Sequence, residues 1–296
     1  MTQKTRRDVL KTGSTASAAL ALSALAGCDA SVANTNVDPA RFGTTPSEAK
    51  QIAVAAHEEI MRDPNLKMHG SERIAMLVYP GMTMLDMVGP QYFFASMMGA
   101  QVDLVTTQET LNPIMGDTRF AVVPTKTMAQ VQEDLDILFV GGGTSGTLAA
   151  MKDQRVLGFL ADHGKRAKWV TSVCTGSLLL GQAGLLAGKR ATSHWMARHI
   201  LEQFGATPVD ARVVRDGKVL TGAGVSAGID FAIELVSAVR SPRYAKFVQL
   251  QAEYAPQPPF NAGTPKAMGQ PDAGIAHEMF ATFIHAAQEV AGDARR

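Results

Sequence analysis

Apolar positions along this chain change their spacing near residue 72, and the change divides it. Ahead of that point, Pro46 to Arg62 carries apolar residues at helical spacing, which predicts a peripheral helix. Ser31 to Pro46 is small and polar and reads as a tether. From Arg73 onward, short apolar runs alternate with helical segments. The runs at 73–79, 101–106, 135–140 and 169–173 read as buried strands, with Ala121 to Thr125 as a short extra one. Helices are predicted over Leu85 to Met98, Gln154 to Gly164, Gly176 to Leu186, Trp195 to Phe204 (closed by Gly205) and Ala227 to Val239. Arg190 to Ser193 is short and extended. Ala211–Arg215 and Lys218–Thr221 flank Asp216-Gly217, which predicts a hairpin. Residues 255–273, rich in Pro, Gly and Gln, read as loop, and His277 to Val290 as a last helix. Strands alternating with helices imply an α/β fold with a mostly parallel sheet covered on both faces.

Composition narrows the class. An apolar share of 46% over 296 residues excludes a mostly disordered chain. Lys and Arg total 28 against 27 Asp and Glu, with no basic block, which argues against nucleic acid as a partner. Two cysteines, Cys28 and Cys174, are too few for a disulfide scaffold or a Cys-rich zinc site. The histidines form no ligand-like cluster. His57-Glu58 resembles the start of a zinc-protease helix, but Met61 stands where the second His is needed, so no metal is expected.

The N-terminus reads as an address. Arg6-Arg7 precede a mild apolar run, Ala16 to Gly27, too short to cross a hydrocarbon core of ~30 Å. This resembles a twin-arginine export signal, and Leu25-Ala26-Gly27-Cys28 resembles a lipobox. The resemblance implies a periplasmic protein held to the membrane by a lipid anchor on Cys28, whose two acyl chains suffice for stable attachment. The alternative is a plain export signal with Cys28 incidental. The expected organisation is therefore a signal at 1–28, a tether with peripheral helix at 29–71, a main domain at 72–240 and a C-terminal extension at 241–296.

In an open parallel sheet, ligands bind beyond the carboxyl ends of the strands. Val170-Thr-Ser-Val-Cys174-Thr175-Gly176 sets a nucleophile between an apolar strand and a helix, the arrangement of a nucleophile elbow with Cys in place of Ser. A helix N-terminus favours thiolate, so a lowered Cys174 pKa is expected. Gly141-Gly142-Gly143 ends the preceding strand and could present N–H groups to a developing negative charge. No G-x-G-x-x-G and no Lys-Ser/Thr ending accompanies it, which argues against phosphate binding. Asp86 is a carboxylate among apolar neighbours near the end of the first strand; taken alone, it reads as a helix-cap or turn residue. His194 follows a short strand and could contact the pocket, although a hydrogen-bonded structural role fits as well.

Taken together, YPGMTMLDMVGP, DILFVGGG, VTSVCTGSLLLGQAGLLAGKRATSHW and GVSAGIDFAIEL resemble the ThiJ/PfpI family of the class I glutamine amidotransferase-like superfamily, over roughly 72–240. The resemblance implies a flavodoxin-like three-layer sandwich. Thr175 stands where PfpI-like peptidases and glutamine amidotransferases place His, which argues against a Cys–His dyad. Asp86 stands where family glyoxalases carry Glu. Asp in that loop with Cys-Thr after the fourth strand is similar to the isonitrile hydratase branch. That similarity implies Cys174 as nucleophile, Asp86 as acid/base and Thr175 as a supporting residue; Gly142, Gly143 and His194 are expected as oxyanion or substrate contacts from their places after strands. It also implies a small-molecule substrate, no cofactor and a homodimer. Another ThiJ/PfpI-type cysteine enzyme, such as a glyoxalase, or a non-catalytic small-molecule-binding or redox-sensing module is the alternative. A regulator would need a helix-turn-helix, and the tail from Pro256 lacks that pattern.

Overall fold

The computed structural model describes Gly43 and residues 45–293; the expected export signal, Cys28 and most of the expected tether lie outside the described residues. Two compact units divide after Asp63. The first holds helix α1 (Pro46–Arg62), with the boundaries that its apolar spacing predicts. The Thr45 hydroxyl accepts the Glu48 N–H and the Glu48 carboxylate accepts the Thr45 N–H, while Pro46 occupies the first turn.

The second unit is built on one seven-stranded sheet. Its strands in chain order are β1 (Arg73–Val78), β2 (Gln101–Thr106), β3 (Lys126–Thr127), β4 (Ile137–Val140), β5 (Trp169–Val173), β6 (Val213–Asp216) and β7 (Val219–Gly222). The spatial order is β6-β7-β5-β4-β1-β2-β3, parallel throughout except for the β6–β7 hairpin. The β4 and β7 strands are buried along their whole length, as expected where helices cover both faces. The helices are α2 (Met84–Ala95), α3 (Ser145–Lys152), α4 (Gln154–Arg166), α5 (Gly176–Gln182), α6 (Ala227–Val239) and α7 (Pro242–Gln251), followed by α8 (Pro265–Met268), α9 (Asp272–Glu278) and α10 (Ala281–Asp293). One group packs α2, α6 and α7 together; the other brings α3, α4, α5 and α10 around a 3-10 turn at Arg198–Phe204. The chain winds outward from β1 in both directions, to β2 on one side and to β4 on the other. The crevice at such a switch point is where an open α/β sheet binds ligands.

Several elements differ from their sequence-based limits. Asp216 pairs with Val219, so the hairpin turn is Gly217-Lys218, one residue later than expected. The Asp216 carboxylate accepts the Arg190 N–H at 2.9 Å and sits 3.5 Å from Lys189 Nζ, which holds Asp216 in the strand. Only Arg198–Phe204 of the segment from Trp195 winds, and as 3-10, closing on Gly205 at φ 71°. The last helix breaks at Met279-Phe280 into α9 and α10, and part of the expected loop at 255–273 forms α8. Helices α3 and α7 are additional.

The region after 240 packs within the same compact unit as the sheet. Arg240, buried at the end of α6, clasps the segment before β1. Its guanidinium donates to the carbonyls of Lys67 (3.0 Å), Met68 (2.9 Å) and Met98 (3.0 Å) and pairs with Glu72 at 2.5 Å. Behind the site, Phe94, Phe139 and Phe231 pack with ring centroids 5.8–6.4 Å apart, joining α2, β4 and α6.

Candidate active site

Strand β5 runs directly into Cys174, which adopts φ +60°, and α5 begins two residues later. A non-glycine residue there is strained, and the surroundings must impose it. The Cys174 N–H donates to the carbonyls of Ala223 (2.7 Å) and Gly222 (3.1 Å). Its own carbonyl accepts from the hydroxyls of Ser193 (3.0 Å) and Ser177 (3.2 Å). The elbow is thus gripped on both sides, and Cys174 is only 4% exposed.

Asp86 lies in the first turn of α2 and is fully buried. Its Oδ2 accepts the Gly142 N–H at 2.8 Å. Its Oδ1 has no partner of ordinary hydrogen-bond geometry, and the Cys174 thiol interacts with the same carboxyl group. Burial pushes the Asp86 pKa up to about 7, opposed by the Gly142 N–H and the Cys174 thiol and assisted by the negative charge of Asp117. Burial, then the Asp86 charge, push the Cys174 thiol well above its ordinary value. The Thr175 and Val225 N–H groups favour the thiolate, but less strongly. The lowered thiol pKa expected from the helix N-terminus is therefore corrected: α5 has seven residues, and desolvation in a closed site outweighs its terminus.

The other anticipated residues fall into different roles. Thr175 is fully buried, and its hydroxyl accepts the Gly143 N–H at 2.9 Å and donates to the Gly143 carbonyl at 2.7 Å. The Gly142 and Gly143 N–H groups are thus engaged by Asp86 and Thr175. Glycine is needed at 142, because a Cβ there would sit 2.4 Å from Thr175 Oγ1 and 2.5 Å from its backbone N. His194 packs beside Gly224, with ring centroids 5.6 Å from Trp195 and 6.2 Å from Phe280. Burial and then Arg198 push its pKa down to about 4, so it is neutral at pH 7 and acts on neither Cys174 nor Asp86 as a charge. It joins a cluster of rings with Trp195, His277 and Phe280. No group of His, Cys, Asp and Glu able to hold a metal occurs among the described residues.

Two buried hydroxyls were not anticipated. Tyr79 Oη donates to the Gly141 carbonyl at 2.8 Å and lies 3.1 Å from Thr147 Oγ1, which lies 3.1 Å from Thr175 Oγ1. Beyond Tyr79, an open groove of ≈ 510 Å³ runs between Gln108 and Arg155; neither Cys174 nor Asp86 lines it.

A buried cysteine on a strained strand-to-helix turn, facing a carboxyl from the loop and helix after the first strand, defines a cysteine-centred site at the switch point of a flavodoxin-like sheet. The DJ-1/PfpI family pattern matches residues 72–238, and the chain belongs to that family. It is 45% identical over 193 residues to isonitrile hydratase from Pseudomonas putida, spanning 65% of this chain and 83% of that protein. It superposes with a TM-score of 0.75 on the crystal structure of a ThiJ/PfpI family protein from Pseudomonas syringae, at 49% identity, covering 77% of this chain and 94% of that one. Oxidised DJ-1 from Toxoplasma gondii shares the fold at 21% identity and a TM-score of 0.57, over 62% of this chain and all of that one.

Proposed function

We propose that this chain is a cofactor-free isonitrile hydratase-like enzyme converting an isonitrile into an N-substituted formamide. The observation that carries the reading is the buried Cys174–Asp86 pair, which has no histidine acting on it as a charge. The similarity to the Pseudomonas putida enzyme supports the same substrate class.

The pair carries out an addition at one carbon. The thiol proton passes to Asp86, sulfur bonds to the terminal isonitrile carbon, and Asp86 delivers the proton to that carbon. The C–N triple bond becomes a double bond, and the product is a thioimidate. Water then adds to the same carbon and the nitrogen takes a proton. The C–S bond breaks, releasing the formamide, and sulfur recovers its proton. Thr175 keeps the glycine loop against the pair.

The test is purified protein assayed in parallel against cyclohexyl isocyanide and methylglyoxal. Loss of the isocyanide with appearance of the formamide is expected. Turnover of methylglyoxal alone would favour the glyoxalase alternative, and binding without turnover a sensing module. The proposal includes a homodimer. Leu85, Val88 and Tyr92 are 39–50% exposed on α2, an apolar face of the kind that symmetric pairs cover. Light scattering should give twice the chain mass; a monomer at micromolar concentration would refute the pairing.

A further inference from the structure

The Gly141 carbonyl and the Gly142 N–H belong to one peptide group, and both of its ends are engaged. The carbonyl accepts from Tyr79 Oη at 2.8 Å; the N–H donates to Asp86 Oδ2 at 2.8 Å. We propose that Tyr79 is a positioning residue: through this single peptide its hydroxyl aims and polarises the N–H that steadies the Asp86 carboxylate. Hydrogen bonds in series strengthen one another, and a carbonyl that accepts a bond makes its N–H a better donor. Tyr79 is 2% exposed at the end of β1, and burial raises its pKa, so it stays a donor throughout the working pH range.

The neighbouring hydroxyls supply the control. Tyr79, Thr147 and Thr175 share four contacts, ending on the Gly141 and Gly143 carbonyls, but own three hydroxyl protons. One contact is therefore always without a proton. Removing the Thr147 hydroxyl leaves two protons for the two terminal carbonyls, so the Tyr79–Gly141 bond survives. Removing the Tyr79 hydroxyl leaves the Gly141 carbonyl without that donor. The groups acting on Asp86 are the Gly142 N–H, the Cys174 thiol and the Asp117 charge, and all are retained in both variants.

The inference deepens the acid/base reading of Asp86, so its test uses no substrate. Infrared difference spectra of the full-length protein follow protonation of the Asp86 carboxyl, the one carboxyl raised into the neutral range among the described residues, with Asp86→Asn assigning the band. The wild-type midpoint is expected near 7. Tyr79→Phe should raise it by about half a pH unit, since a weakened N–H donor favours the neutral carboxyl. Thr147→Val should leave it in place. Fluorotyrosine at position 79, a stronger donor of nearly the same shape, should lower it; this also serves if Tyr79→Phe does not fold. An unmoved midpoint in folded Tyr79→Phe, equal shifts in Tyr79→Phe and Thr147→Val, or an upward shift with fluorotyrosine would each overturn the proposal. Failure of the isonitrile assay would leave these midpoints unaffected.

Discussion

Replacing Cys174 with serine should abolish isonitrile turnover while the protein stays folded. Serine fits the volume and accepts the same backbone grip: the N–H on Ala223 and Gly222, and the carbonyl under Ser193 and Ser177. The strain at φ +60° is unchanged, because both residues carry a Cβ. Nucleophilicity is what changes. A thiol surrenders its proton to a neighbouring carboxylate far more readily than an alcohol does, and no histidine acts on this site as a charge to compensate. Circular dichroism should match the wild type, and formamide formation should fall below detection. Wild-type rates from folded Cys174→Ser would remove Cys174 from the mechanism.

Asp86→Asn should cost about 10²–10⁴-fold in turnover, the usual contribution of a positioned acid/base, and yet stabilise the fold above neutral pH. Asparagine keeps an oxygen for the Gly142 N–H but cannot relay a proton. The stability effect follows from the raised carboxyl pKa of about 7. Between the ordinary carboxylate range and about 7, the native state holds a proton that the unfolded chain has released, so wild-type stability falls as pH rises through that window. Above it, the native state carries a buried charge. The amide carries none, so its advantage should be small near pH 5 and grow to the order of a few kcal/mol near pH 8. Denaturant titrations at the two pH values check this, and an equal gain at both would remove the ionisation argument. The same titration shapes catalysis. The singly protonated pair is the reactive form, so kcat/KM should rise through pH 7 and persist until the thiol itself ionises.

Much of this site was legible in the residue order because chemistry and geometry coincide there. Trp169–Val173 is a short run rich in β-formers, and Cys174 follows it directly, ahead of a small-residue turn, so the elbow is placed to the residue. Asp86 by itself reads as a cap or turn residue; only the fold, with β1 and β5 on either side of β4, brings it to the sulfur. The thiol pKa runs opposite to what the helix start suggests, because a helix start is local, whereas burial depends on every element around it. Helix α3 was hidden by Gly-Gly-Thr-Ser-Gly. Gly146 is there for packing, since a Cβ would meet the Pro80 carbonyl at 2.4 Å. Helix α7 carried a readable signal, Ser241 capping Tyr244 N–H with Pro242 behind it. Tyr79 stands in the same motif as Asp86, but a tyrosine at a strand end reads as core until its hydroxyl's partner is known.

The Arg240 clasp bears on how long the folded domain lasts. Its partners lie 142 to 173 positions earlier in the chain, so the clasp ties the end of the sheet's last covering helix to the segment that leads into its first strand. While it holds, the stretch at 67–72 cannot peel away from β1 without stripping a buried guanidinium of its carbonyls and its carboxylate. Opening that edge of the domain, to a protease for instance, therefore requires breaking the clasp.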